Sequence, residues 1–151
     1  MTGLDSCIGF LVNNLARQFK KGMNERLAPY EITVAQWTIL ARLWEQDGVT
    51  QKDLAKSLQL EGSTIVWLID KLEKKRFVVR KTLPADRRST QIFLTPAGKR
   101  LRDELPAFHV GLDEIATASA SAAEVEGFYK LLRLMSVNLR NYQPAEQLND
   151  E

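Results

Sequence analysis

Residues 50–102 read TQKDLAKSLQLEGSTIVWLIDKLEKKRFVVRKTLPADRRSTQIFLTPAGKRLR, and the fold is decided within them. Thr50 stands as the N-cap of a short helix, with Asp53 in its positive first turn and Leu54, Ala55 and Leu58 facing inward. After a break at Gln59–Gly62, a second helix carries Ile65, Leu68, Ile69 and Leu72 at i, i+3, i+4 and i+7. The period then becomes that of a strand. Phe77-Val78-Val79 and Ile92-Phe93-Leu94 flank the polar stretch from Leu83 to Ser89, which predicts a β-hairpin with a long tip. Thr95 and Pro96 restart a helix as N-cap and first helical residue.

Working outward, Thr33 and Gln36 form a capping box, and Trp37, Leu40, Ala41 and Trp44 mark one face of a helix that stops at Asp47-Gly48. Further upstream, Ile8, Leu11, Val12, Leu15, Phe19, Met23 and Leu27 recur at three and four residues. The first thirty residues therefore read as one amphipathic helix ending before Pro29. Downstream, Leu101, Leu105, Phe108, Leu112 and Ile115 keep one rhythm across Pro106, which predicts a kinked but unbroken helix. Ser121 with Glu124 caps a last helix, in which Val125, Phe128, Leu132, Met135, Leu139 and Tyr142 are spaced like a coiled-coil seam. From Pro144 onward the chain reads as a frayed tail.

The 151 residues suit one domain, or one core with an extended dimerisation arm, and 44% hydrophobic with 26% charged residues argues against disorder. No segment approaches the ~18 apolar residues of a membrane span, and the N-terminus lacks the pattern of a signal peptide, so a cytoplasmic location without membrane contact is expected. A single cysteine, Cys7, and a single histidine, His109, exclude an intramolecular disulfide and a Cys/His metal cluster. No metal or cofactor is expected. With one Cys, one distant His and no phosphate-loop glycine pattern, neither is catalysis.

The net charge of +2 conceals a division along the chain. Residues 1–51 hold five Lys/Arg and five Asp/Glu; residues 52–102 hold thirteen against five; residues 103–151 hold three against nine. A strongly basic middle segment is the footprint of a phosphate-binding surface.

Two short helices joined by a tight turn and followed by a basic hairpin have the order of a winged helix-turn-helix. Residues from about Ile32 to Arg102 resemble the winged-helix core of the multiple-antibiotic-resistance regulator (MarR) family in ITVAQWTILARL, TQKDLAKSL, STIVWLIDKLEKK, PADRRS and IFLTPAGKRL. The expected fold is mainly α with a small β-wing (α+β). One MarR-type domain then divides into an N-terminal dimerisation helix (1–30), a DNA-binding core (31–102), C-terminal dimerisation helices (103–143) and the tail (144–151). The resemblance implies a homodimeric regulator, usually a repressor, that binds an inverted-repeat operator in double-stranded DNA and responds to a small aromatic or anionic effector.

Carried onto this sequence, the recognition helix spans about Gly62–Lys75, with Gly62, Ser63, Thr64, Val66, Trp67, Asp70, Lys71 and Lys74 toward DNA and Asp86, Arg87, Arg88 and Ser89 on the wing. Thr50, Gln51, Lys52, Lys75 and Arg76 are further candidate phosphate contacts. Two departures from the family pattern stand out. Trp67 occupies a mid-helix position that many relatives fill with a polar or basic residue, and Arg76 replaces the usual glycine after the helix. Two readings of Val66 and Trp67 stay open: packing on thymine methyls in the major groove, or Trp67 folding back onto the domain or the hairpin.

The dimer interface is expected to include Ile8, Leu11, Leu15, Leu112, Ile115, Val125, Phe128, Leu132, Met135 and Leu139. Arg17, Tyr30, Trp37, Trp44 and His109 are candidates for an effector pocket, against the alternative that the two tryptophans are core residues and His109 is structural. Two rival functions remain. One is a winged-helix protein-interaction adaptor anchored on Trp67. The other is a thiol sensor through Cys7 in the first helix, although that position lies about two residues from the family's sensing cysteine, roughly 200° around a helix.

Overall fold

The computed structural model describes residues 3–83, 86–105 and 108–142, which fall into two compact units divided between Leu112 and Asp113. The first unit opens with a 3-10 turn (Leu4–Ser6) and α1 (Ile8–Leu27). Cys7 is therefore not inside the first helix; it is the exposed residue at its N-cap. Only Met23 and Leu27, at the C-terminal end of α1, are buried, whereas Ile8, Leu11 and Val12 are exposed. A turn through Ala28–Tyr30 leads to α2 (Val34–Glu45), whose N-terminus carries the expected box: Gln36 N donates to Thr33 Oγ1 and Thr33 N to Gln36 Oε1. Its most buried face is Gln36, Ile39, Leu40 and Leu43, while Trp37 and Trp44 are half-buried against the core.

β1 (Val49–Thr50), α3 (Gln51–Leu58), α4 (Gly62–Lys74), β2 (Val78–Leu83), β3 (Asp86–Leu94) and α5 (Pro96–Glu104) follow. The antiparallel sheet has the order β1-β3-β2, with Val49 opposite Ile92 and Val78 opposite Leu94. β1 escapes a sequence reading because two residues carry no period. It forms because Ile92 O accepts from Gly48 N and the Asp47 carboxylate accepts from Leu94 N, which holds the α2–α3 connection against β3.

The core gathers Leu27, Leu40, Leu43, Leu54, Ile65, Leu68, Ile69, Leu72, Val78 and Ile92, all at or near complete burial. α5 closes onto it. Thr95 Oγ1 accepts from Gly98 N, and a Cβ at Gly98 would lie 2.1 Å from the Phe77 carbonyl oxygen, so only glycine permits this approach.

Two expectations are corrected. The hairpin does not have a long irregular tip: β2 reaches Leu83 and β3 begins at Asp86, with a register shift after Thr82. The polar run looks loop-like in sequence, but cross-strand pairing satisfies the backbone of polar residues as well as that of apolar ones. Nor is the fifth helix continuous. α5 ends at Glu104, Leu105 turns to extended backbone (φ −82, ψ 104), and a separate helix α6 runs from Phe108 to Ala116. Proline disfavours αR in the residue before it, and here that preference outweighs the apolar rhythm. Pro106 itself lies outside the described residues.

α6 crosses the boundary between the units, and the second unit consists mainly of α7 (Ala122–Arg140). Ser121 and Glu124 form its capping box, and the Tyr129 hydroxyl donates to Asp113. None of the residues of α7 is buried. Among the described residues, no helix is long and apolar enough to cross a membrane.

Candidate nucleic-acid interface

α3, the turn Gln59–Glu61 and α4 form the helix-turn-helix. Thr50 caps α3 through its hydroxyl, which accepts from Asp53 N and donates to the Asp53 carboxylate at 2.7 Å. Gln59 takes the left-handed conformation (φ 53) that reverses the chain without a glycine, and Leu60 N donates to Ala55 O. α4 then sinks Ile65, Leu68, Ile69 and Leu72 into the core. With that stripe fixed, the 3.6-residue period turns Gly62, Ser63, Thr64, Val66, Trp67, Asp70 and Lys74 outward, and all of them are exposed. Glu61 makes no side-chain cap, so the first-turn N–H groups beside Ser63 and Thr64 are not satisfied by it.

α4 ends without glycine. Arg76 adopts φ 60, Phe77 N donates to Leu72 O and Arg76 N to Glu73 O, the paired bonds of a Schellman motif with arginine in the left-handed position. Lys75, a candidate phosphate contact, lies 3.4 Å from the Glu31 carboxylate. Arg76 and Lys52 are exposed.

One residue absent from the sequence-derived set organises the surface. Arg80, on β2, donates through Nη2 to Asp70 (2.6 Å), through Nη1 to Glu73 (2.5 Å) and through Nε to Gln51 (3.0 Å). Its backbone N–H also donates to Glu73, at 3.2 Å. A single guanidinium thus joins the start of α3, the middle of α4 and the first wing strand, using the fork geometry that suits arginine and not lysine. Asp70 and Gln51, both assigned to DNA from sequence, are partners in this cluster. The signal available beforehand was weak: a lone arginine in a strand otherwise read from Val78 and Val79.

Val66 and Trp67 stand in the middle of the outward face, 41% and 58% exposed. Trp67 does not fold back; the Lys71 ammonium lies 5.4 Å from the centre of its ring. On the wing, Asp86–Ser89 belong to β3, and their side chains lie outside the described residues.

Four of the five effector candidates have described side chains. The Trp44 indole N–H donates to Gly98 O at 2.9 Å, the Tyr30 hydroxyl to Glu104 O at 2.9 Å, and Arg17 to Asn14. Trp37 packs on the core, and the His109 side chain lies outside the described residues. Trp44 borders a cleft of about 390 Å³, together with Leu43, Asp47, Leu94, Lys99, Arg102 and Asp103.

Comparison with known proteins bears on this surface. The model of the MarR family matches residues 32–90. Over 102 residues the chain is 33% identical to the HTH-type transcriptional regulator TtmR of Methylorubrum extorquens (strain PA1), covering 68% of this chain. It spans about half, 52%, of that relative's length. Among solved structures, CouR from Rhodococcus jostii RHA1, bound to p-coumaroyl-CoA, aligns with a TM-score of 0.80 and 30% identity over 89% of this chain and 95% of its own. MepR of S. aureus, in complex with DNA, aligns with a TM-score of 0.81 and 27% identity over 89% of this chain and 98% of its own.

Proposed function

This chain belongs to the MarR family, and from that premise we propose that it is a homodimeric transcriptional regulator that binds an inverted-repeat operator in double-stranded DNA. α4 enters the major groove, and the wing residues Asp86, Arg87, Arg88 and Ser89 follow the flanking minor groove, where a protruding arginine meets the negative potential of a narrow groove. The observation that carries this reading is the rigid seating of α4. Four buried residues and the Arg80 cluster hold it, while its opposite face, with Ser63, Thr64 and Lys74, stays exposed. MepR, solved as a DNA complex, supports the assignment of the surface.

The apolar residues exposed on α1 and α7 support pairing of two copies through residues 1–30 and 103–143. The regulator acts as a repressor released by a small aromatic or anionic effector, a reading supported by the ligand-bound structure of CouR. It works in the cytoplasm.

The test is selection of bound duplexes from a random pool, followed by titration at several salt concentrations. The expected motif is an inverted repeat whose half-site centres lie about 34–36 Å apart, with affinity falling steeply as salt rises. Absence of any duplex binding at low salt overturns the proposal and favours a protein-binding adaptor.

A further inference from the structure

The outward face of α4 changes character along its length. Ser63 and Thr64 supply hydroxyls at its start, and Lys71 and Lys74 supply charge toward its end. Between them the exposed surface is hydrocarbon and indole, from Val66 and Trp67. Asp70, one turn further along the same face, is paired with Arg80 through Oδ1 at 2.6 Å. Lys71 caps the ring at 5.4 Å, which limits the orientations the indole samples before it meets a partner.

Base pairs present acceptors, amino donors and one apolar group to the major groove, and that apolar group is the thymine 5-methyl. We propose that Val66 and Trp67 form a methyl-reading patch that selects thymine at the centre of each half-site, making Trp67 the specificity-determining residue of this regulator. The inference rests on the DNA-binding reading above and adds the chemistry that is read. Charge complementarity commits the occupant to duplex DNA: the patch lies on a helix with Lys71 and Lys74 and is followed by the basic segment through Arg76 to Arg88. The hydroxyls and lysines position the helix; the apolar patch discriminates between bases.

The test replaces each thymine of the selected duplex in turn by deoxyuridine, which removes only the methyl group. One or two positions in each half-site are expected to lose about fourfold in affinity, the worth of one buried methyl. That sensitivity is expected to vanish in Trp67→Ala and to persist in part in Trp67→Phe. Both side chains replace an exposed residue, so circular dichroism and melting should match the parent protein, and the deoxyuridine series on the parent needs no variant at all. If no thymine in the half-site is sensitive, or if the sensitivity is unchanged in both Trp67→Ala and Val66→Ala, the proposal is overturned while DNA binding stands. If no duplex is recovered at low salt, the DNA-binding reading fails first and takes the methyl patch with it.

Discussion

Helix α4 runs from Gly62 to Lys74 and helix α7 from Ala122 to Arg140, both with apolar residues spaced by three and four, yet four side chains of α4 are buried and none of α7 is. An amphipathic pattern specifies a stripe but not what covers it. In α4 the stripe meets α2, α3 and β2, so the helix is anchored and its other face is displayed in a fixed orientation. In α7, Phe128, Leu131, Leu134, Val137 and Leu139 remain exposed, and hydrocarbon left in water at that density favours association. Burial fixes α4 in place; the lack of it leaves the apolar residues of α7 exposed.

Four experiments can break or sharpen this contrast. Leu68→Ala, in the sealed stripe of α4, should lower unfolding stability by about 2–5 kcal/mol in urea melts. A loss below about 1 kcal/mol would mean that α4 is not anchored as described. On α7, Leu131→Glu with Leu134→Glu should weaken self-association by about a hundredfold, on the order of 3 kcal/mol. Sedimentation should then find the 17.2 kDa chain alone where the proposed dimer predicts twice that mass for the parent protein. An unchanged mass would remove α7 from the interface.

The next effect is smaller and of opposite sign. Arg76→Gly removes a side chain from a left-handed position (φ 60) and should stabilise the end of α4 by about 1 kcal/mol in thermal melts. Destabilisation would show that the Arg76 side chain does more than close the helix.

The smallest effect concerns pH. The Ser121 backbone N–H, and after it the Ser121 hydroxyl, hold the Glu124 carboxyl below its ordinary value. A group whose folded pKa is depressed contributes stability above its unfolded pKa and loses it as pH falls through the folded one. The start of α7 should therefore fray at acidic pH, with the protection of the Val125 and Glu126 amides against exchange falling, and should be indifferent to pH near neutrality. Equal protection at neutral and strongly acidic pH would refute the capping account.

What could be read in advance follows from how far an interaction reaches along the chain. The caps at Thr33, Thr50, Thr95 and Ser121 all form as their spacing indicates, because a cap joins residues three apart. The stripe of α4 was equally legible, and with it the outward set that includes Trp67. Arg80 was not. Its partners Gln51, Asp70 and Glu73 lie 29, 10 and 7 residues away, and only the turn from α4 into β2 brings them together. The continuous helix through Pro106 is absent for the opposite reason: a local steric rule overrides a periodic signal that spans several turns.

By itself, then, the sequence determined the helices with their caps, the basic segment and the residues turned outward, since these depend on backbone sterics, short-range hydrogen bonds and a count of charges. Tertiary structure alone decided that Arg80 ties the wing to α4 and that Asp70 is its ion-pair partner. It also decided that Trp67 stands in solvent beneath Lys71. A side chain's partner depends on which strands and helices are brought within a few ångströms of it, and that distance is set by packing, which no local pattern encodes.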